Sequence, residues 1–178
     1  MKALITYGTT EGQTRKIAEA AAAQMREAGH VAEFYDTVNP GRHVELDGFD
    51  AFVIAASVHQ EQHQPVVKGF ATAHRGMLNA KPSAFISVSL SAVLEETRPE
   101  AQSYVDRFAE VTGWQPAMTL LLGGALRFTA YDYFQEQIVK HIVMKRGVVS
   151  EPGSDREFTD WSALSSFLDA FLERANTR

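Results

Sequence analysis

Cysteine is absent from the 178 residues, which excludes disulfides, cysteine-ligated zinc, iron–sulfur clusters and thiol nucleophiles. Any redox chemistry must therefore come from a bound cofactor, and a reducing compartment is compatible with the composition. Positive charge is also in deficit. Seventeen Lys and Arg against 22 Asp and Glu leave a net charge of -5, so no general basic field draws in a nucleic-acid backbone, and nucleic acid is not an expected partner. Apolar runs are short: the first, Ala3 to Tyr7, is too brief for a signal peptide. None reaches the roughly 20 residues needed to cross a bilayer, and the expected location is the cytoplasm. No solenoid repeat, low-complexity tract or Pro/Gly/Ser-rich linker divides the chain, so residues 1–178 are read as one domain.

What is there is an alternation of short β-type runs with longer helical stretches. Lys2 to Tyr7, Val31 to Tyr35, Ala51 to Ala56, Ser83 to Val88 and Met118 to Leu122 are the candidate strands. Thr14 to Ala28 is rich in alanine, places Ile17, Ala21 and Met25 on one helical face and meets Gly29 as a stop. A second helix follows Pro65, and a third runs from Pro99 to about Val111 with Tyr104, Phe108 and Val111 inward. The last carries Trp161, Leu164, Phe167, Leu168, Phe171 and Leu172 as one apolar stripe behind a Thr159 or Asp160 cap. The pattern predicts an α/β fold, a doubly wound five-stranded parallel sheet with helices on both faces. Ligands of such sheets sit at the carboxyl ends of the strands, so the functional loops fall near residues 8–14, 57–64 and 89–98. Residues 124–157 exceed an ordinary connection and are read as an insertion near the fifth strand.

The first of these loops, Gly8-Thr9-Thr10-Glu11-Gly12-Gln13-Thr14, lies between a strand and the start of a helix. Its threonine hydroxyls can donate to phosphate oxygens, Gly12 lets the backbone turn, and the helix N-terminus adds free amides and the positive end of a dipole. Neither GxGxxG nor GxxxxGK[ST] is present, which favours a monophosphate over a dinucleotide or a nucleoside triphosphate.

GTTEGQT in this setting resembles the FMN phosphate loop of flavodoxins. The blocks IAASVHQEQHQP, KPSAFISVSL, GGALRF and FTDW extend the resemblance to the menaquinone-dependent protoporphyrinogen oxidases, a long-chain flavodoxin-like family. The resemblance implies that Thr9, Thr10, Glu11, Gly12, Gln13 and Thr14 bind the FMN phosphate, Glu11 through its backbone amide because a carboxylate repels phosphate. It further implies that Ser57, Val58, His59 and Gln60, with Ser87, Val88, Ser89 and Leu90, flank the isoalloxazine ring. Flavodoxins usually stack an aromatic on that ring; this chain has histidines in the first ring loop and no aromatic between Ser87 and Arg98. The implied activity is FMN-dependent oxidation of protoporphyrinogen IX to protoporphyrin IX in heme biosynthesis, with a quinone as electron acceptor. A flavodoxin-type electron carrier and a general FMN quinone reductase share the loop and stay open as alternatives, as does a homo-oligomeric state.

His59 and His63 are the candidate proton-handling residues, since histidine titrates near neutral pH. Lacking a third ligand or an HExxH arrangement, the pair is not read as a metal site. In the insertion, Arg127 and Phe128 precede Tyr131, Tyr133, Phe134, Ile138, Lys140, Ile142, Lys145 and Arg146. One reading is a helix packed on the sheet edge. The other is an aromatic and basic surface, about residues 131–146, that meets a quinone, a porphyrinogen carboxylate or the inner face of the cell membrane. Arg127 is the candidate propionate contact because its planar fork suits a carboxylate. Arg15 and Lys16 are expected to point to solvent, Glu95 and Glu96 to be a solvated pair, and Trp114 and Trp161 to be packing residues.

Overall fold

The computed structural model describes residues 1–41, 44–126 and 156–177. Strands β1 (Lys2–Gly8), β2 (Val31–Asp36), β3 (Ala51–His59), β5 (Ser83–Ser89) and β6 (Met118–Gly123) form a parallel sheet in the order β2-β1-β3-β5-β6. Between β3 and β5, the two-residue strand β4 (Gln62–His63) folds back antiparallel on β3. Helices α1 (Gln13–Glu27), α2 (Pro65–Ala80), α3 (Arg98–Thr112) and α4 (Trp161–Asn176) cover the sheet. A ribbon of β7 (Ala125–Leu126) and β8 (Arg156–Glu157) joins the two ends of the insertion.

Both sheet faces are covered, which is why the strands read as continuous apolar runs and not as alternating ones. On one face Ile5, Val53, Ala55, Ile86 and Leu122 pack beneath α1 and α4. Alanines at 18, 21 and 22 are fully buried there and bring α1 close to the sheet. On the other face Leu4, Phe52, Ile54 and Phe85 meet α2, α3 and Trp114, whose indole Nε1 donates to Ser83 Oγ at 2.9 Å.

The expected strands extend by one to three residues at their carboxyl ends, and Asp160 is the cap of α4, its Oδ1 accepting from the Ala163 amide at 2.9 Å. Two inward assignments need correction. Val111 is 60% exposed, because the buried stripe of α3 runs through Ala101, Tyr104, Val105 and Phe108 to Thr112. Trp161 is 40% exposed and is not a core residue; its indole donates to Glu157 Oε1 at 2.8 Å at the start of α4. Arg15 and Lys16 do face solvent, pairing with Glu19 at 2.8 Å and Glu157 at 3.4 Å. Arg127, Phe128 and the residues singled out between 131 and 146 lie outside the described residues.

Candidate functional site

Helix α1 leaves β1 toward one sheet face and α2 leaves β3 toward the other, so the chain diverges at the carboxyl ends of these neighbouring strands. A cleft opens at that point, as the topology of open α/β sheets requires. It encloses about 540 Å³ including its open mouth, and is lined by residues Thr9, Thr10, Glu11, Gln13 and Thr14 after β1, and Ser57, Val58 and His59 at the end of β3. Val88, Ser89 and Leu90 at the end of β5, with Gly124 and Ala125 after β6, complete the wall.

The first loop is shaped by Gly12, which takes the left-handed conformation at φ 90° immediately before α1. Its amide is held by Thr9 Oγ1 at 2.8 Å. No side chain caps the helix and its first turn carries no acidic residue. The leading amides of α1 have no intrahelical acceptor, and the positive end of the helix dipole lies at the cleft. Gln64, from the far side of the cleft, braces this loop by donating from Nε2 to Thr10 Oγ1 at 2.9 Å.

A model of the flavodoxin domain family matches residues 4–150. The chain belongs to that family. It is 32% identical over 168 residues to the protoporphyrinogen IX dehydrogenase (quinone) of Escherichia coli strain K12, covering 94% of this chain and 92% of that one. A relative of the same name from Leishmania major is 26% identical over 171 residues, or 96% of this chain and 74% of its own. Among solved structures, a short-chain flavodoxin associated with a bacterial microcompartment superposes with a TM-score of 0.56 at 13% identity, over 98% of this chain and 99% of that chain. That likeness is one of fold.

Membership implies a flavin-binding flavodoxin domain, and the residues present fit such a group. Among the described residues, the buried side-chain atoms without a hydrogen-bond partner are Gln13 Oε1, Ser57 Oγ, Gln64 Oε1 and Ser89 Oγ. Gln13, Ser57 and Ser89 line the cleft, and Gln64 is bonded to a residue that does. An orphaned buried polar atom costs about 1–3 kcal/mol, so their concentration at one place marks a surface built to meet a polar ligand. His59 supplies the ring among the described lining residues, where no Phe, Tyr or Trp occurs.

The remaining singled-out residues of this flavodoxin domain fall elsewhere. Gln60 sits at the exposed hairpin turn between β3 and β4 and does not line the cleft. Ser87 is buried behind the lining residues and bonds His63 Nε2 at 2.9 Å. His63 is not brought to the cleft: it is 3% exposed, packed between Phe85 and Phe108 with ring centroids 5.1 and 5.0 Å away. Burial, with Lys68 adding to it, lowers its pKa from 6.5 to about 3, so at neutral pH the imidazole is an uncharged packing group. Behind the β5 loop, burial and Glu100 push the Tyr104 hydroxyl up to about 12. Ser91 Oγ donates to Glu100 Oε2 at 2.9 Å beside it, and Thr97 Oγ1 donates to the Ser91 carbonyl at 2.7 Å, which fixes the loop that carries Leu90.

Gly124, Ala125 and the bracing Gln64 are the site residues that sequence reasoning missed. The Gly123-Gly124 pair in GGALRF was the available signal, since adjacent glycines mark a close backbone approach.

Proposed function

We propose that this flavodoxin domain is an FMN-dependent oxidoreductase that oxidises protoporphyrinogen IX to protoporphyrin IX and delivers the electrons to a quinone. The supporting observation is its 32% identity, along nearly both whole chains, to a bacterial protoporphyrinogen IX dehydrogenase (quinone). The cleft agrees with that reading in chemistry as well as position.

Thr9, Thr10 and Thr14, with the leading amides of α1 at Gln13 and Thr14, would hold the phosphate, Gly12 would shape the turn, and Glu11 would contribute its amide only. Ser57, Val58 and His59 on one side and Val88, Ser89 and Leu90 on the other would border the ring, with the orphaned serine hydroxyls available to its polar edge. When bound, FMN supplies the acceptor for hydride equivalents, chemistry for which no protein side chain is suited. The chain's own task is to orient and to manage protons. His59 is the imidazole left at the rim of the cleft, exposed to the protons that successive two-electron oxidations of the macrocycle release. An open mouth suits a broad, flat substrate. Arg127 is proposed as the contact to a propionate, and residues 131–146 as the surface that meets the quinone at the inner face of the cell membrane. Among the described residues, no helix is long and apolar enough to cross that membrane.

Anaerobic mixing of the FMN-loaded protein with protoporphyrinogen IX tests the reading. Flavin bleaching matched by rising porphyrin fluorescence, then reoxidation by an added menaquinone analogue, is expected. A bound flavin that porphyrinogen fails to reduce would move the assignment to an electron carrier or another quinone reductase. Arg127→Ala should impair turnover while FMN stays bound; unimpaired turnover removes Arg127 from the substrate site.

A further inference from the structure

Gln64 is fixed at the start of α2 by its backbone, and its side chain reaches the loop after β1. His63 before it pairs with Val58 across the β3–β4 hairpin, and Pro65 after it keeps it at φ -56° and ψ 136°, the region that a following proline imposes. Its carbonyl accepts from the Val67 and Lys68 amides at 3.1 Å each, and its side chain caps no amide of the helix. Nε2 instead donates to Thr10 Oγ1 at 2.9 Å, 54 positions earlier in the chain. Gly8 makes room for that path: a Cβ there would run into Gln64 Oε1 and Val67 Cγ2.

The order of donors follows from what each end of the Gln64 amide can tolerate. Nε2 carries two N–H groups and Oε1 none. With Nε2 toward Thr10, the end against Gly8 is a single oxygen, buried without a partner. Turned about, the amide would bury both N–H groups at that end, a costlier pair of orphans than one carbonyl oxygen. The Thr10 hydroxyl oxygen therefore accepts from Gln64, and its single proton is left for another acceptor. Thr9 stands the same way, its Oγ1 accepting from the Gly12 amide at 2.8 Å. Both threonines line the cleft, so the protein supplies N–H donors to their oxygens and leaves their protons for a ligand.

We propose that Gln64 is a positioning residue for phosphate recognition: by donating to Thr10 it turns the Thr10 hydroxyl proton toward the phosphate, without lining the cleft itself. The chain N–H···O–H···O⁻ also strengthens its second bond, because a hydroxyl that accepts is a better donor. With an apolar side chain in place of Gln64, the Thr10 hydroxyl is free to rotate and to donate to water. The inference rests on the FMN reading and deepens it by a residue outside the β1–α1 loop.

Binding of FMN, and of riboflavin, which lacks the phosphate, to the flavin-stripped full chain tests this in a double-mutant cycle. Gln64→Met, unbranched and without a donor, should weaken FMN about fivefold and leave riboflavin unchanged. Thr10→Val should weaken FMN about tenfold, again with riboflavin unchanged. The double variant should bind FMN no more weakly than Thr10→Val alone, because Gln64 then has no hydroxyl to turn. Equal losses for FMN and riboflavin in Gln64→Met would make Gln64 a packing residue of the cleft wall and overturn the inference. Additive losses in the double variant, or FMN affinity unmoved by Gln64→Met, would overturn it as well. If Gln64→Met does not fold, Gln64→Leu takes its place in the cycle. No binding of either flavin by the unaltered chain would overturn the FMN reading, and this inference with it.

Discussion

Thr14 and His63 are both sealed from solvent, at 1% and 3% exposure, yet their surroundings give them opposite work. Thr14 lines the cleft in the first turn of α1, where a hydroxyl meets free amides and the positive end of the helix dipole. Thr14→Val keeps its shape and removes the donor. FMN affinity should fall by about 1 kcal/mol or more, as for a charge-assisted bond, while riboflavin affinity holds. Unchanged FMN binding in a fluorescence titration would take Thr14 out of the phosphate site. His63 instead meets two phenyl rings and a serine hydroxyl, and burial holds its pKa near 3 against 6.5 in the ordinary environment. The unfolded chain therefore binds the extra proton between these values and the folded chain does not. Stability from this group is full above about pH 6.5 and is lost as the pH falls toward 3. His63→Gln keeps a polar side chain that does not titrate. In urea denaturation between pH 6.5 and 4 it should lose less stability than the native chain, by on the order of 1–3 kcal/mol. Parallel pH slopes would show that burial does not hold His63 neutral.

At the scale of elements, the β3–β4 hairpin is a turn built against local preference. Gln60 and Glu61 both take positive φ, 48° and 61°, in a two-residue turn between His59 and Gln62. Mirror-type hairpin turns of this kind favour Asn-Gly, because a side chain at positive φ is strained. Glu61→Gly should relieve that strain and raise the unfolding free energy by about 1 kcal/mol, read as a higher denaturation midpoint; a lower midpoint would mean that the Glu61 side chain outweighs its backbone. The absence of Asn-Gly is also why residues 57–64 read as a loop with no strand in it. The five parallel strands were legible because burial on both faces demands continuous apolar runs, and α1 because Gly12 and Gly29 bracket it. The place of the β1–α1 loop in the cleft wall was legible because its features are local: hydroxyls, glycine and a helix start lie within a few residues. Val111 and Trp161 misled because each fits an apolar stripe by spacing, and only the angle at which a helix meets the sheet decides where that stripe ends. The Gln13–Thr159 bond spans 146 positions and has no local signature at all.

The cleft belongs to the whole molecule, since its walls come from the ends of β1, β3, β5 and β6 and exist only when the sheet is assembled. A ligand that needs all of them binds the folded chain and not the unfolded one, so occupancy and global stability are linked. FMN at a hundredfold excess over its Kd should add about 2.7 kcal/mol to the unfolding free energy. For a domain of this size that corresponds to a rise in Tm of roughly 5–10 °C. The orphaned oxygens of the cleft-lining Gln13, Ser57 and Ser89 give the effect its local origin: each is a buried group whose desolvation is uncompensated until a partner arrives. Thermal unfolding of the flavin-stripped chain should therefore move upward with FMN and less with riboflavin at equal concentration, the difference being the phosphate loop's share. A midpoint indifferent to FMN would mean that the strand ends, however well they converge, are not the place where this chain holds a flavin.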